Sequence, residues 1–138
     1  ETDLELAILI ATERFAEPLV IVAAFGGRLD QHLANILLLT PVGLGERSVK
    51  LAARFQEMWL IRDVAEIEGK PGDPLSLIPL AGDVPIRMTE GLKWPLINDV
   101  LQFGPARGIS NVMTGENARI EINAGLLLCI HIDGKWVR

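Results

Sequence analysis

Apolar side chains recur at helical spacing at the start of the chain. They fall on one face of a helix, at Leu4, Ala7, Ile8, Ala11 and Phe15. Thr2 and Glu5 give the T-x-x-E form of a capping box, in which two side chains satisfy backbone N–H groups of the first turn. The pattern predicts a helix over residues 3–16, which Pro18 ends.

A short apolar run follows at residues 19–25. It is apolar on both faces and partly β-branched, which is typical of a strand buried inside a parallel sheet. Gly26 and Gly27 form a turn, and a second helix is predicted from about Asp30 to a point before Pro41. Helix, strand and helix with short connections indicate an α/β layered unit.

The pattern changes in the second half of the chain. Residues 43–56 favour a further helix or helical turn and residues 58–62 a strand, after which Gly, Pro and Asp separate short strand-like runs. Residues 118–123 alternate apolar and polar side chains, as a half-buried strand does. The predicted fold class is α/β followed by all-β, with residues 1–63 as the end of a parallel-sheet α/β domain and residues 64–138 as an antiparallel β-sandwich.

Composition excludes several classes of function. The chain has 138 residues, of which 49% are hydrophobic, so it is not a disordered chain. Its net charge of -5 provides no basic surface, and no nucleic-acid partner is expected. No apolar run approaches the roughly 20 residues that cross a bilayer, so no membrane partner is expected. Cys129 is the only cysteine and lies in an apolar run, which favours a buried thiol and a reducing, cytoplasmic location.

Few of the remaining residues suggest chemistry. Trp59 and Trp136 are interpreted as structural, because they lie in apolar or terminal strands. His131 alternates with isoleucines on a predicted strand, so we expect it to face solvent or a partner. One cysteine and two histidines give no Cys/His cluster for zinc.

The segment after the first predicted strand carries charge on a glycine turn. Arg28 and Asp30 follow Gly26 and Gly27 at the carboxyl end of a strand, where ligands bind in open α/β sheets. A guanidinium can donate paired hydrogen bonds to a phosphate, and glycine lets the backbone approach a ligand closely. Structural roles also fit: a surface arginine, a turn, Asp30 as a helix N-cap, and Asp3 as an acid favoured by the helix dipole.

Three strings in the sequence resemble one known family. They are ETDLELA at residues 1–7, GGRLDQHLAN at residues 26–35, and GLKWPL at residues 91–96 followed by RGISN at residues 107–111. Together and in this order they resemble the thiamin pyrophosphokinases, also called thiamin diphosphokinases. The resemblance implies an α/β catalytic domain followed by a β-sandwich. It also implies a homodimer, with each active site between the α/β domain of one subunit and the β domain of the other.

The reaction that the resemblance implies is Mg²⁺-dependent. A diphosphoryl group passes from ATP to the hydroxyl of thiamin, giving thiamin diphosphate and AMP. By the same resemblance Asp3, Arg28 and Asp30 are catalytic, and Asp3 and Asp30 are also candidate Mg²⁺ ligands. Thr2 and Gln31 are placed at the bound ATP.

The resemblance assigns the thiamin side of the site to the second half of the chain. Trp94 is expected to form a flat wall for the cationic vitamin, a contact of about 0.5–2 kcal/mol. Ser110 and Asn111 are expected to hydrogen-bond the aminopyrimidine. Without the resemblance, Trp94 fits a core or domain-packing tryptophan, and Ser110 and Asn111 fit a turn after Gly108.

Two departures from the family bear on activity. The family's G-D-x-D-S metal-binding aspartates and an early glycine-rich nucleotide loop lie upstream of ETD and are not in this chain. We therefore expect an N-terminally incomplete form, inactive by itself, whose main metal aspartates precede Glu1. Gln31 stands where many relatives have histidine, although glutamine is also found there.

Two alternative functions stay open. The chain fits a non-catalytic ligand-binding or regulatory module that keeps the thiamin-type β-sandwich. It also fits a diphosphokinase for another hydroxylated heterocycle, such as a pterin-like one. An Asp-x-Asp sequence upstream of Glu1 would favour the kinase over the binding module. AMP release with thiamin and with a pterin alcohol would separate the two substrates.

Overall fold

The computed structural model describes residues 3–14, 19–22, 27–40 and 49–135. The chain divides into two compact units, Glu1–Arg54 and Phe55–Arg138. Its described part is mostly β-structure with two helices, in the order α1 (Asp3–Arg14), β1 (Leu19–Val22), α2 (Leu29–Leu37), β2 (Val49–Ala53), β3 (Gln56–Ile61), β4 (Val64–Glu68), β5 (Pro74–Pro79), β6 (Val84–Glu90), β7 (Ile97–Leu101), β8 (Asn111–Val112), β9 (Asn117–Ile122) and β10 (Leu127–Ile132).

The first unit contains α1, β1, α2 and β2. β1 pairs with β2 in parallel, with Leu19 opposite Val49. The predicted helix, strand and helix are confirmed in this order. The helix predicted over residues 43–56 is wrong over Val49–Ala53, which is β2. Burial alternates along this segment, since Val49 and Leu51 are buried while the lysine between them is half-buried. Alternation with a period of two is the pattern of a strand and not of a helix. Residues 43–48 of that prediction lie outside the described residues.

β1 is less buried than its sequence predicts. Leu19 and Ile21 are half-buried, whereas Val20 and Val22 are 61% and 84% exposed. A parallel strand that is apolar on both faces needs a covering layer on each side. Within the first unit, the described residues cover only one of them.

The second unit is built from two antiparallel sheets, as a β-sandwich is. One contains four strands in the order β3-β10-β5-β8, and the other has the order β4-β9-β6-β7. β9 shows the predicted alternation, because Ala118, Ile120 and Ile122 are buried and Arg119 and Glu121 are not. The core of the unit consists of Ile61, Ile67, Leu75, Leu77, Val84, Ile86, Leu92, Leu101, Met113, Ala118, Ile120, Ile122, Leu127 and Cys129, with Trp59 packed against it.

β3 lies in this second unit. It pairs with β10, with Ile61 opposite Leu127 and Trp59 opposite Cys129. The boundary that the sequence predicts at residue 64 would place this strand in the first domain. The functional domains drawn there, residues 1–63 and 64–138, stay a prediction.

A buried carboxylate joins the ends of three strands in the second unit. His131, predicted to face solvent or a partner, is instead 13% exposed, with Nε2 2.8 Å from Oδ2 of Asp73. The Asp73 carboxylate also accepts hydrogen bonds from the backbone N–H groups of Gly134 (2.9 Å) and Lys70 (3.0 Å). A Cβ on Gly69 would lie 2.8 Å from Oδ2 of Asp73 and from Nε2 of His131, so a larger residue there would force the pair to shift. The predicted outward direction of His131 is therefore wrong, because this side chain shares a face of β10 with residues of the core.

The pKa of Asp73 lies below its ordinary value. Burial alone would raise this pKa, but the hydrogen bonds from Gly134, His131 and Lys70 favour the carboxylate and outweigh burial. A lowered pKa in the folded state means that ionised Asp73 stabilises the fold above its ordinary pKa of 3.8. This contribution disappears as the pH falls through the lower folded-state value.

Replacing this carboxylate should weaken the fold and change its acid response. Asp73→Asn is expected to lower the free energy of unfolding at neutral pH by about 1–3 kcal/mol, because buried donors lose a charged acceptor. Below pH 3.8 the wild type should lose stability more steeply than the variant. Urea unfolding at several pH values measures both effects. Asp63→Asn, at an exposed aspartate, is the control, and equal acid responses of the wild type and Asp73→Asn would contradict the assignment.

Candidate functional site

Arg28 and Asp30 form a two-pronged ion pair at the start of α2. Nε of Arg28 lies 3.1 Å from Oδ1 of Asp30, and Nη2 lies 2.6 Å from Oδ2. Both side chains are about two-thirds exposed, at 69% and 66%. Arg28 is the N-cap residue in an extended conformation and makes no side-chain cap hydrogen bond, so Asp30 lies in the first turn. The interpretation of Asp30 as the N-cap is therefore wrong.

The Asp30 carboxylate is held in its charged form. Its pKa is lowered, chiefly because the Arg28 side chain donates to it and then because the backbone N–H of Gln31 donates to Oδ1 at 2.9 Å. Thus the structure brings Arg28, Asp30 and Gln31 together at one helix end. Asp3 is the first residue of α1, but its side chain lies outside the described part of the chain, as does Thr2.

The GLKW segment of the second unit turns one side chain inward and the next ones outward. Gly91 has a φ of +79°, and a Cβ there would lie 2.3 Å from the carbonyl oxygen of Asn117, so only glycine fits. Leu92 is buried and forms a β-bridge with Met113. Trp94 is 55% exposed and lies outside the core of the second unit.

The ammonium group of Lys93 lies beside this exposed indole. Its Nζ atom is 4.8 Å from the centroid of the Trp94 ring. This distance is within the range of a cation–π contact, worth about 0.5–1 kcal/mol at an exposed site. The indole of Trp94 is therefore presented to solvent with a cation already near it.

Asn111 binds the backbone of Trp94 across 17 positions of sequence. Its Oδ1 atom accepts the backbone N–H of Trp94 at 3.1 Å, and its Nδ2 atom donates to the carbonyl oxygen of Trp94 at 2.8 Å. Oδ1 also accepts the N–H of Val112 at 2.9 Å. The residue is buried, at 8% exposure. The structure therefore brings together Trp94 and Asn111, which the sequence assigned to one site.

The turn that carries Ser110 is fastened to β5. The backbone N–H of Ser110 donates to Oγ of Ser76 at 3.0 Å, and Ser110 has a φ of +60°. Leu77 donates its N–H to the carbonyl of Gly108 at 2.9 Å. A Cβ on Gly108 would lie 2.3 Å from the carbonyl oxygen of Leu77, so the approach requires glycine. Ser110 is exposed and lies next to Asn111.

Sequence reasoning missed the residues that support this region. Ser76 is a hydroxyl in the otherwise apolar string LSLIPL, which is the one signal that marks it. Arg107 donates through Nη1 to Oδ1 of Asp99 and to the carbonyl of Val100, both at 3.2 Å, and so ties the RGISN turn to β7. Hydrogen bonding from Arg107 lowers the pKa of Asp99. No spacing in the sequence relates these partners.

Two classes of feature are missing from the described residues. They contain no group of three or more His, Cys, Asp or Glu side chains placed to hold a metal ion. None of the helices in the described ranges is long and apolar enough to cross a membrane.

Comparisons with known proteins bear on this arrangement. Residues 64–127 match the family model described as "Thiamin pyrophosphokinase, vitamin B1 binding domain", a range that includes Trp94, Ser110 and Asn111. The thiamine pyrophosphokinase of Bacillus subtilis (strain 168) is 28% identical to the chain over 134 residues. The predicted relationship to the thiamin pyrophosphokinase family is confirmed.

Solved structures named as thiamin pyrophosphokinases share the fold. The thiamine pyrophosphokinase structure from Bacillus subtilis gives a TM-score of 0.87 at 27% identity, covering 96% of this chain and 63% of that one. The structure from Geobacillus thermodenitrificans gives a TM-score of 0.84 at 25% identity, covering 96% and 62%. Yeast thiamin pyrophosphokinase, at 22% identity and a TM-score of 0.68, covers 98% and 48% and shows the fold alone.

The chain is shorter than the thiamin pyrophosphokinases that it resembles. The match to the curated Bacillus subtilis protein covers 94% of this chain but 62% of that protein. The activity, substrates and partners of whole thiamin pyrophosphokinases are therefore proposals for this chain.

The turn that carries Ser110 and Asn111 should not tolerate a side chain at Gly108. Gly108→Ala is expected to lower the free energy of unfolding by about 1–3 kcal/mol, because the new methyl group would clash with a backbone carbonyl of β5. Gly115→Ala is the matched control, since a Cβ there meets nothing within 4 Å, and its effect should stay within about 0.5 kcal/mol. Urea unfolding of both variants decides, and equal stabilities would refute the close approach.

Proposed function

We propose that this protein acts as a thiamin diphosphokinase. It transfers a diphosphoryl group from ATP to the thiamin hydroxyl and gives thiamin diphosphate and AMP, with Mg²⁺ as cofactor. The observation that carries the proposal is that the vitamin B1 binding match at residues 64–127 contains an exposed indole, Trp94, held by a buried amide, Asn111.

The domain roles, the assembly and the location belong to the same proposal. Residues 1–63 supply the end of the α/β catalytic domain, and residues 64–138 supply the thiamin-binding β-sandwich. The protein works as a cytoplasmic homodimer with each active site shared between subunits. The parallel pairing of β1 with β2 and the two antiparallel sheets of the second unit support these roles.

On the thiamin side, Trp94 provides a flat surface for the cationic vitamin. A cation held against an indole gains about 0.5–2 kcal/mol. Lys93 already lies 4.8 Å from the ring centroid, so thiamin takes the other face of the indole or displaces the lysine. Ser110 contributes an exposed hydroxyl, and Asn111 belongs to the same group with Oδ1 already bonded to Trp94 and Val112.

On the phosphate side, Arg28 binds phosphate oxygens and Asp30 positions the thiamin hydroxyl or a metal ion. Diphosphoryl transfer requires an in-line approach of a hydroxyl to phosphorus among negatively charged oxygens. The Arg28 guanidinium, now paired with Asp30, can exchange that carboxylate for phosphate oxygens because both groups are exposed. Asp30 is ionised at neutral pH, since its pKa is lowered, and it orients the thiamin hydroxyl or holds a metal. Asp3, Thr2 and Gln31 complete the predicted ATP side.

The donor chemistry on this side fits Mg²⁺. Mg²⁺ prefers hard oxygen ligands and usually takes one or two carboxylates, with waters and substrate phosphates in the remaining positions. Asp30 offers an ionised, exposed carboxylate, and Asp3 is the second residue that would hold the ion. When bound, Mg²⁺ neutralises phosphate charge during transfer.

Loss of the Asp30 carboxylate should stop turnover without unfolding the protein. Asp30→Asn in the intact protein is expected to lower kcat by about 100-fold or more, because the positioning or metal-binding charge is removed. The urea midpoint should stay unchanged, since the ion pair with Arg28 is exposed. AMP release measures turnover and Asp63→Asn is the control. Near-normal AMP release by Asp30→Asn would refute the role of Asp30.

Loss of the Trp94 indole should act on thiamin binding. Trp94→Ala is expected to raise the thiamin KM by about 2- to 30-fold, the equivalent of one cation–π contact, while kcat changes little. Trp94→Phe keeps an aromatic face and should recover part of the affinity. Steady-state kinetics of both variants test this, and an unchanged thiamin KM in Trp94→Ala would count against the stacking.

A further inference from the structure

A short backbone ladder on the outer side of β8 ends at Trp94. Leu92 forms a β-bridge with Met113, and the N–H of Lys93 donates to the carbonyl of Val112 at 2.9 Å. At Trp94 the partner is no longer backbone. The side-chain amide of Asn111 accepts the N–H of Trp94 and donates to its carbonyl, as a neighbouring strand would.

The backbone of Asn111 is held on its other side by β5. Asn111 pairs with Leu75 of β5 and is 8% exposed. Its Oδ1 atom also accepts the N–H of Val112, so both acceptor positions of that oxygen are occupied within the protein. The preceding residue, Ser110, is bonded to Ser76. The amide therefore has one orientation in which all of these bonds form.

The residue after Trp94 cannot hold this part of the backbone, which leaves that role to the Asn111 amide. Pro95 has no backbone N–H and cannot continue the ladder. The next anchor is Leu96, whose N–H donates to Oγ1 of Thr89 at 2.9 Å and whose carbonyl accepts the N–H of Thr89 at 2.9 Å. Asn111 thus binds the backbone of Trp94 immediately before Pro95, a residue that has no N–H with which to continue the ladder.

We propose that Asn111 is a positioning residue, which sets the direction of the Trp94 indole through the Trp94 backbone. Its effect on thiamin passes through Trp94 rather than through a contact of its own. This inference rests on the proposed function for its substrate, but the orientation of Trp94 can be tested without any ligand.

The first test is spectroscopic and uses the unliganded intact protein. Asn111→Asp keeps the size of the side chain and an acceptor for the Trp94 N–H, but it places an oxygen against the Trp94 carbonyl. The ¹⁵N–¹H indole signal of Trp94, assigned with Trp94→Phe, is expected to shift or broaden, while the indole signal of Trp59 keeps its position. Asn123→Asp makes the same chemical change at an exposed asparagine and should move neither of them.

An unchanged Trp94 signal in Asn111→Asp would overturn the inference. A loss of all native signals would mean that this variant unfolds. In that case Asn111→Ala, which removes both bonds without adding charge, replaces it in the same comparison. An Asn111→Ala spectrum in which the Trp59 signal moves as far as the Trp94 signal would also overturn the inference, because the role of Asn111 would then be general to the fold.

The second test separates action through Trp94 from direct contact with thiamin. Thiamin Kd values are measured for the wild type, Trp94→Ala, Asn111→Ala and the double variant. Asn111→Ala alone should raise Kd severalfold, by no more than Trp94→Ala does. In the Trp94→Ala background it should change Kd by less than about twofold, because its route to the ligand has been removed.

Two other results of the Kd measurements are possible, and each leads to a different conclusion. If Asn111→Ala raises Kd by the same factor in both backgrounds, Asn111 contacts thiamin directly and the inference is overturned. If Trp94→Ala leaves the thiamin Kd unchanged, the proposed thiamin site fails, and so does the part of the inference that concerns thiamin. The spectra still decide whether Asn111 orients Trp94, so failure of the function and failure of the positioning role can be told apart.

Discussion

The candidate thiamin side depends on one edge of β5. On its other edge β5 pairs with β10, and its apolar side chains enter the core of the second unit. On this edge, consecutive positions 75–77 hold the turn before β8: Leu75 pairs with Asn111, Ser76 accepts the N–H of Ser110, and Leu77 bonds Gly108. An exposed turn is thereby fixed by hydrogen bonds to a buried strand. The GLKW segment is held in turn by β8 and Asn111, so the exposed Trp94 and the exposed Ser110 are each anchored to a more buried residue.

Asp73 and Asp30 have lowered pKa values for different reasons. Asp73 is buried, and its charge is stabilised by backbone N–H groups and by His131. Asp30 is exposed and owes its shift first to Arg28. An exposed pair is weak and reversible, because water replaces either partner at little cost. The buried network suits a structural role, and the exposed pair suits a site where charged ligands come and go.

Much of the fold could be predicted from the sequence because it follows local periodicity. The helical spacing of Leu4, Ile8 and Ala11 and the strict alternation in β9 each predicted an element that the structure contains. β2 was missed because its pattern is short and lies in a stretch that also fits a helix. Where periodicity favoured an outward-facing His131, a distant acid instead drew it into a buried pair.

The site residues stay a prediction, and the contacts that join them could not be predicted from the sequence. Trp94 and Asn111 were assigned to one group by a resemblance, and the structure joins them across 17 positions. The contact is a pair of hydrogen bonds from the Asn111 side-chain amide to the Trp94 backbone. Sequence spacing does not predict it, because it depends on the register of β5 with β8. The same holds for Arg107 and Asp99, whose pairing depends on how the RGISN turn lies against β7. Contacts of this kind are set by tertiary structure, which a single sequence does not display.

The two-residue length of β8 has a consequence for self-association. An outer strand with unpaired N–H and C=O groups is a template on which another chain can add a strand and begin to aggregate. Here the outer side of residues 111–114 is already occupied, since Lys93 bonds Val112 and Thr114 bonds Gly91. Pro95 then withholds the donor that an incoming strand would need next. The segment that displays an indole to solvent therefore also caps its sheet against fibril-like growth.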